Sequence, residues 1–258
     1  MRNSSIIAAV LLAALPLAAH ADCTVSAQRP LELALEGVET VRFEFGADDL
    51  ELAGTAGARG QLEGRACASH RELLDQLDLV QEREGSTLVV RVERAGNLAE
   101  GLAALFTRRY AYIDVSGSIP EELPVQVHLG SGDARLRGIA SLDARVGSGD
   151  LQVEQVGGPV ALRIGSGDAT LTGIGPLQVH ALGSGDLSAR DIKGDVRIGT
   201  IGSGDVELAA VTGSVAVERI GSGDLDVRGA QGDLRVGRVG SGEVKHHQVA
   251  GTVQLPQR

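Results

Sequence analysis

Hydrophobic positions recur along the second half of the chain as two short groups per repeat. In the stretch beginning at Gly202 they are Val206, Leu208 and Val211, then Val215, Val217 and Ile220; in the stretch beginning at Gly183 they are Leu187, Ala189, Ile192, Val196, Ile198 and Ile201. Each group is a short alternation of period two, which lines one face of a strand and not one side of a helix. Threonine and charged residues fill many of the places between, as on the solvent face of a sheet. A glycine divides the two groups at Gly194, Gly213, Gly232 and Gly251, while Gly-Gly-Pro at 157–159 and Gly-Pro at 175–176 do so in earlier copies. Each repeat therefore predicts two strands.

The repeats are joined by Gly-Ser-Gly and an acid, at 130, 147, 165, 183, 202, 221 and 240, so the intervals run 17, 18, 18, 19, 19 and 19. Such a fixed return marks a repeat architecture. One strand pair cannot bury its apolar face alone, but successive copies stacked at about 4.8 Å pair backbone to backbone and place like side chains over like. The inward places hold only Ala, Val, Leu and Ile, sizes that fill a gap of about 10 Å between two sheets. The expected fold is all-β, a two-sheet parallel β-solenoid of about 18–19 residues per coil over 130–258. The drift in period is not the multiple of six that left-handed hexapeptide solenoids keep, which favours right-handed winding. The competing arrangement is an antiparallel sandwich of hairpins, which would not require one turn signature in register throughout.

Residues 22–129 predict less regular coils of the same domain. "FEFGADDLELAG" (43–54) echoes "GSGDLQV", with Leu50 and Leu52 in the inward places. Ser69 and Glu72 form a capping-box pattern before "LLDQLDLV", predicting a short helix. "NLAEGLAALF" (97–106) spaces Leu98, Leu102, Leu105 and Phe106 at helical intervals behind Asn97 and predicts a second. These helices are expected to cover the open end of the stack, as solenoids require.

The joining turn raises the main chemical question. Its glycines, Gly147 and Gly149, Gly165 and Gly167, Gly183 and Gly185, Gly202 and Gly204, Gly221 and Gly223, are expected to supply positive φ in a tight turn. Its serine and aspartate are expected to hydrogen-bond turn backbone. Stacking would make Asp133, Asp150, Asp168, Asp186, Asp205, Asp224 and Glu243 an acidic ladder, whose neighbours about 4.8 Å apart repel by about 1 kcal/mol even in water. Backbone N–H donors or bound cations must offset this. The candidate cation ligands are Asp150, Asp168, Asp186, Asp205 and Asp224. Calcium-binding G-G-x-G-x-D repeats match poorly, because here the aspartate follows the last glycine immediately and the double glycine is missing.

Composition narrows the partners. Arg2 before an apolar run ending in Ala19-His20-Ala21 reads as a signal peptide over 1–21, and no later apolar run is long enough to span a bilayer. Export is thus expected, to the periplasm first, with cell surface or medium as alternatives. Two cysteines, Cys23 and Cys67, are then expected to form a disulfide. A net charge of -10 repels nucleic acid and anionic lipid. No aromatic residue follows Tyr112, which removes the stacking platforms used for sugars and bases. Lys245-His246-His247 suggests a metal only weakly, because neighbours on a strand face opposite ways. The arginines at 135, 137, 145, 163, 190, 197, 219, 228, 235 and 238 fall on outward places mixed with acids, a salt-bridged surface or guanidinium groups offered to an acidic polysaccharide.

The repeated "GSGD" with V-x-V-x-x-V spacing, preceded by "SIPEELPVQVHLGSGD" (118–133), "VRFEFGADDLELAG" and "LEGRACAS", resembles the bacterial DUF4097/DUF2807 group of adhesin-like β-strand repeat proteins. The resemblance covers most of the mature chain and implies a parallel β-helix at the cell envelope, with no catalytic residues to carry over. The expected function is that of a non-catalytic exported envelope protein, a binding or structural module without a cofactor, whose partner is an envelope protein or glycan. The alternatives are a polysaccharide-active β-helix enzyme and a calcium-stabilised repeat. End-to-end pairing of two copies at the last coil is expected as well.

Overall fold

A computed structural model describes residues 23–95 and 109–256. The expected signal segment (1–21) and the expected helix over 97–106 lie outside the described residues. The amino-terminal part contains β1 (Val25–Glu32), β2 (Thr40–Phe45), β3 (Asp49–Thr55), β4 (Gln61–Ala68), α1 (Arg71–Leu74), β5 (Leu77–Glu84), β6 (Thr87–Arg94) and β7 (Ala111–Pro120). The repeats follow as β8 (Val125–Leu129), β9 (Ala134–Arg137), β10 (Leu142–Val146), β11 (Leu151–Val156), β12 (Val160–Ile164), β13 (Ala169–Ile174), β14 (Leu177–Leu182) and β15 (Leu187–Ile192). The remaining strands are β16 (Val196–Ile201), β17 (Val206–Val211), β18 (Val215–Ile220), β19 (Leu225–Ala230), β20 (Leu234–Val239), β21 (Val244–Val249) and β22 (Val253–Gln254).

Two sheets of eleven strands face each other. Sheet A runs β1-β4-β7-β3-β9 and then through the odd strands to β21, while sheet B runs β22, β20 and the even strands to β8, then β2-β6-β5. Pairing within the repeats is parallel and in register, for example Leu187 with Val206 and Val196 with Val215. This is a β-solenoid, and parallel pairing excludes the hairpin sandwich. The inward residues Leu151, Val153, Val156, Val160, Leu162 and Ile164 are at most 2% exposed. Each such side chain contributes about 1.5–3 kcal/mol by leaving water.

The V-x-V-x-x-V spacing has a backbone cause. In sheet A one residue per coil drops out of the ladder, as where Glu154 pairs with Thr172 and Val156 with Ile174. That residue is Gly138, Gln155, Gly173, Asp191, Ala210, Gly229 or Gln248, and all seven have φ between 53° and 75°. The left-handed residue is a bulge that turns two successive side chains outward and returns the next apolar residue to the core. Sheet B gains a comparable irregularity at β14, where the register shifts after Leu162. The strands β14, β16, β18 and β20 have six residues in place of the five in β8, β10 and β12, which supplies part of the drift in period.

The turn glycines are where the sequence reading needs correction, because none of the Gly-Ser-Gly glycines has positive φ. Their reason is proximity. A Cβ at Gly204 would overlap the carbonyl oxygen of Gly185 one coil below, and Gly149, Gly167, Gly185 and Gly223 stand in the same relation to the coils beneath them. A Cβ at Gly147 would lie 2.5 Å from the oxygen of Gly130. The turns stack this closely because they continue the inter-coil hydrogen bonding, Ser166 N donating to Gly147 O at 2.7 Å and Ser184 N to Gly165 O at 2.8 Å.

The amino-terminal end departs from chain order. The β2–β3 coil is inserted between the β6–β7 coil on one side and the β8–β9 coil on the other, since β2 pairs in parallel with both β6 and β8 and β3 with both β7 and β9. The end is closed by antiparallel strands, β4 on β7, β1 on β4, and β5 on β6. Among the described residues this cap is mainly strand: the expected short helix near Glu72 is the single turn α1, and the following "LDLVQERE" is β5. Nor does the capping box form, because the N-cap is His70 and Ser69 Oγ instead meets His70 Nδ1 at 2.9 Å. Arg29 of β1 ties the turn down by donating to Leu74 O and Leu77 O. Cys23 and Cys67 form the expected disulfide, with Cα atoms 5.6 Å apart.

Two glycine substitutions in opposite directions test this account. Gly204→Ala should destabilise by about 3 kcal/mol through overpacking of adjacent backbones. Ala210→Gly, relieving a left-handed alanine with φ 53°, should stabilise by about 0.5–1 kcal/mol once the entropy of glycine is offset. Denaturant melts of the two variants check both signs.

Candidate functional site

The acidic ladder exists, and its carboxylates are already engaged. Asp133 N donates to Asp49 Oδ1 at 2.8 Å, Asp150 N to Asp133 Oδ1 at 2.9 Å, and Asp168 N to Asp150 Oδ1 at 3.1 Å. The chain of bonds continues through Asp186, Asp205 and Asp224, each at 2.8 Å, to Glu243 N on Asp224 Oδ1 at 2.8 Å. Each aspartate from Asp49 to Asp224 thus receives the amide of the next coil, a charge-assisted bond of the stronger kind. The mutual repulsion is offset by backbone dipoles pointing along the stack. Among the described residues no three His, Cys, Asp or Glu side chains converge as a metal site would need. The turn serines behave differently from expectation: Ser148, Ser166, Ser184, Ser203 and Ser222 are exposed, and none of their hydroxyls bonds the turn.

Asp49 extends the ladder one coil below the Gly-Ser-Gly-Asp series, and Asp48 takes the place of the second glycine. Its partners lie on β6 and β7, the strands on either side of the 95–110 segment. Asp48 is fully buried, accepts Arg94 Nη2 at 2.7 Å on both oxygens, and accepts Ile113 N at 2.9 Å. It clamps the ends of β6 and β7 on either side of that segment.

The opposite corner carries a second ladder that the hydrophobic pattern did not signal. Asp195 Oδ1 accepts Ser214 N at 3.0 Å, Ser214 Oγ accepts Asp233 N at 3.1 Å, and Asp233 Oδ1 accepts Thr252 N at 2.7 Å. The signal was present in the sequence as a short polar residue following Gly194, Gly213, Gly232 and Gly251. Lys245, His246 and His247 lie on β21, and His246 continues the column of Val227. On this last coil the inward places are no longer covered, so His246 is exposed and Val244 and Val249 are half-buried.

The two outer faces differ in charge. Outward residues of sheet A include charges of both signs in similar number, and Arg228 pairs with Glu207 and Asp226, each at 2.6 Å, beside a shallow groove of about 390 Å³ that follows the acidic edge. Sheet B, from β8 to β20, presents Arg145, Arg163, Arg197, Arg219, Arg235 and Arg238 against the carboxylates of Asp143 and Glu218. Among the described residues, only Arg197 of these six has an ion pair, with Asp195 at 3.0 Å. The mixed, salt-bridged surface expected for all the arginines therefore does not describe this face. Arg145 Nη1 lies 2.9 Å from His128 Nε2. Burial and then Arg145 push the His128 imidazole below its ordinary value, with Arg42 adding to this, while Glu44 and Asp143 act the other way.

No family model matches the chain, and no curated protein matches it in sequence. The fold is shared with solved structures. A candidate adhesin from Bacteroides fragilis aligns with a TM-score of 0.53 over 90% of this chain and 97% of its own, at 10% identity. A candidate lipid-binding protein from Parabacteroides distasonis aligns with a TM-score of 0.51 over 89% of this chain and 97% of its own, at 13% identity. At such identities the likeness establishes a common fold, and the resemblance to the DUF4097/DUF2807 group rests on the repeat and its flanking motifs.

The ladder predicts a salt response. Screening weakens repulsion between neighbouring carboxylates more than it weakens the short N–H···O bonds. The melting temperature should rise from 0.02 to about 0.5 M NaCl, and rise less in Asp186→Asn, which keeps an acceptor and removes a charge from the middle of the column. Millimolar calcium at matched ionic strength should add nothing further. A second prediction concerns pH. Because His128 is held neutral in the folded state, its contribution to stability is complete above its unfolded pKa of about 6.5 and is lost as pH falls through the lower folded value. His128→Gln should therefore show a smaller loss of melting temperature than the parent chain between pH 7.5 and 5.

Proposed function

We propose that the chain is a non-catalytic, exported module of the bacterial envelope that binds through the flat faces of its solenoid, in the manner of an adhesin. The observation that carries this reading is the engagement of its acids. The carboxylates an acid–base or metal-assisted mechanism would draw on are bonded to the amides of the coil above, and they follow the repeat where catalytic residues would interrupt it. Large, regular sheet faces suit extended contact better than enclosure of a small substrate. The candidate adhesin that shares the fold supports the same class of function. Envelope glycans or proteins are the partners the reading calls for, and the periplasm is the compartment, in keeping with the disulfide. The half-buried Val239, Val244, Val249 and Val253 at the last coil, with the exposed Leu255, favour end-to-end pairing of two copies as an additional mode.

Expression in a Gram-negative host tests export and inactivity together. The chain should be recovered from the periplasm with Asp22 as its first residue by mass spectrometry, and incubation with a panel of acidic glycans should release neither new reducing ends nor unsaturated uronides. A product from any glycan, lost on substitution of a single outward residue, would overturn the non-catalytic reading.

A further inference from the structure

The arginines of sheet B stand in register. Arg145 pairs with Arg163, Arg163 with Ala181, Ala181 with Thr200, Thr200 with Arg219, and Arg219 with Arg238. Four guanidinium groups therefore share one line along the stacking direction, two at each end, with the small side chains of Ala181 and Thr200 between them. The two pairs are three rungs apart, about 14 Å at the usual strand spacing. Arg235 lies on the same strand as Arg238 and also faces outward, so the pair at the carboxy-terminal end becomes a triad.

Adjacent guanidinium groups repel, and an isolated stack of them is normally relieved by interleaved carboxylates. On sheet A the acids Glu154, Asp191, Glu207 and Asp226 stand among the outward arginines, and Arg228 contacts two of them, although Arg135, Arg137 and Arg190 form no ion pair among the described residues. Among the described residues Arg145, Arg163, Arg219, Arg235 and Arg238 have no ion pair at all, in a chain whose net charge is -10. The excess positive charge is thus local and one-sided, on an open strip that is low in the middle.

From this geometry we propose that sheet B is the docking face for a linear acidic polysaccharide, lying along the solenoid axis and bridging the Arg145–Arg163 pair to the Arg219–Arg235–Arg238 triad. This rests on the reading of the chain as an envelope binding module and names the ligand class. A guanidinium is the group suited to hold carboxylate or sulfate with two parallel bonds, and charges in a row fit a polymer better than a single small anion. A lipid surface is the less suitable partner, because this strip offers no tryptophan, tyrosine or phenylalanine to enter a bilayer interface.

The test uses the full mature chain and immobilised polygalacturonate, with neutral dextran and vesicles of anionic phosphatidylglycerol as the other arms. The expected result is binding to polygalacturonate at 50 mM salt that weakens steeply by about 0.3 M, with neither dextran nor vesicles bound. Arg219→Gln with Arg238→Gln should weaken that binding about tenfold or more, the order of one lost charge-assisted contact. Arg219→Lys with Arg238→Lys should recover part of the loss. Arg135→Gln with Arg137→Gln, on sheet A, should leave binding unchanged, and unaltered melting curves confirm that the exposed substitutions keep the fold. The proposal is overturned if polygalacturonate does not bind, if vesicles bind in its place, or if the two double glutamine variants weaken binding equally. Lack of binding leaves the envelope-module reading standing, whereas binding accompanied by cleavage of the polymer would retain the docking face and remove the non-catalytic reading.

Discussion

Close backbone approach between successive coils is the constraint from which the molecule follows. Parallel strands must keep their hydrogen-bonding distance, and here the turns keep it too, so that amides and carbonyls of the Gly-Ser-Gly segments form ladders continuous with the sheets. At that separation a side chain at the second glycine has nowhere to go except into the carbonyl below. The glycine repeat is the mark of this contact, written once per coil.

In-register stacking also converts every repeated residue into a column, and the columns have very different energetics. Apolar ones are simply additive. An acidic column is unstable by itself and persists because each carboxylate captures the next amide, at 2.8–3.1 Å. The basic column on sheet B has no such internal solution, since an arginine side chain finds no acceptor in the amide above it. The same geometry thus yields one edge whose charge is satisfied within the fold and one face whose charge is not.

Where the regular pattern fails, a different interaction takes over. The β2–β3 coil has Asp48 where the later coils have the second glycine of the turn. The buried carboxylate is committed to the partly exposed Arg94 and to Ile113 N, so loss of Arg94 would leave a buried charge with a single donor. One end of the stack is closed by antiparallel strands and a disulfide, and the other tapers into a coil of half-buried valines and exposed histidine.

Period-two alternation, the seven returns of Gly-Ser-Gly and the lack of large inward side chains determined the solenoid from sequence alone, because identical units that bury one face can only stack. The echo at 43–54 likewise placed Leu50 and Leu52 inward, both now at most 2% exposed. The reason for the glycines was not legible, since positive φ and steric proximity select the same residue; it took the neighbouring coil to distinguish them. Left-handed residues at Gln155, Asp191 and Ala210 carry no compositional mark, because bulge geometry is imposed by the ladder around them. The insertion of the β2–β3 coil between strands that follow it in the chain, the bond from Asp133 N across 84 residues to Asp49, and the passage from the single turn α1 straight into β5 were decided only in three dimensions. So was the gathering of arginines into one line on sheet B, for sequence shows which residues point outward, whereas only the pairing of strands shows which of them become neighbours.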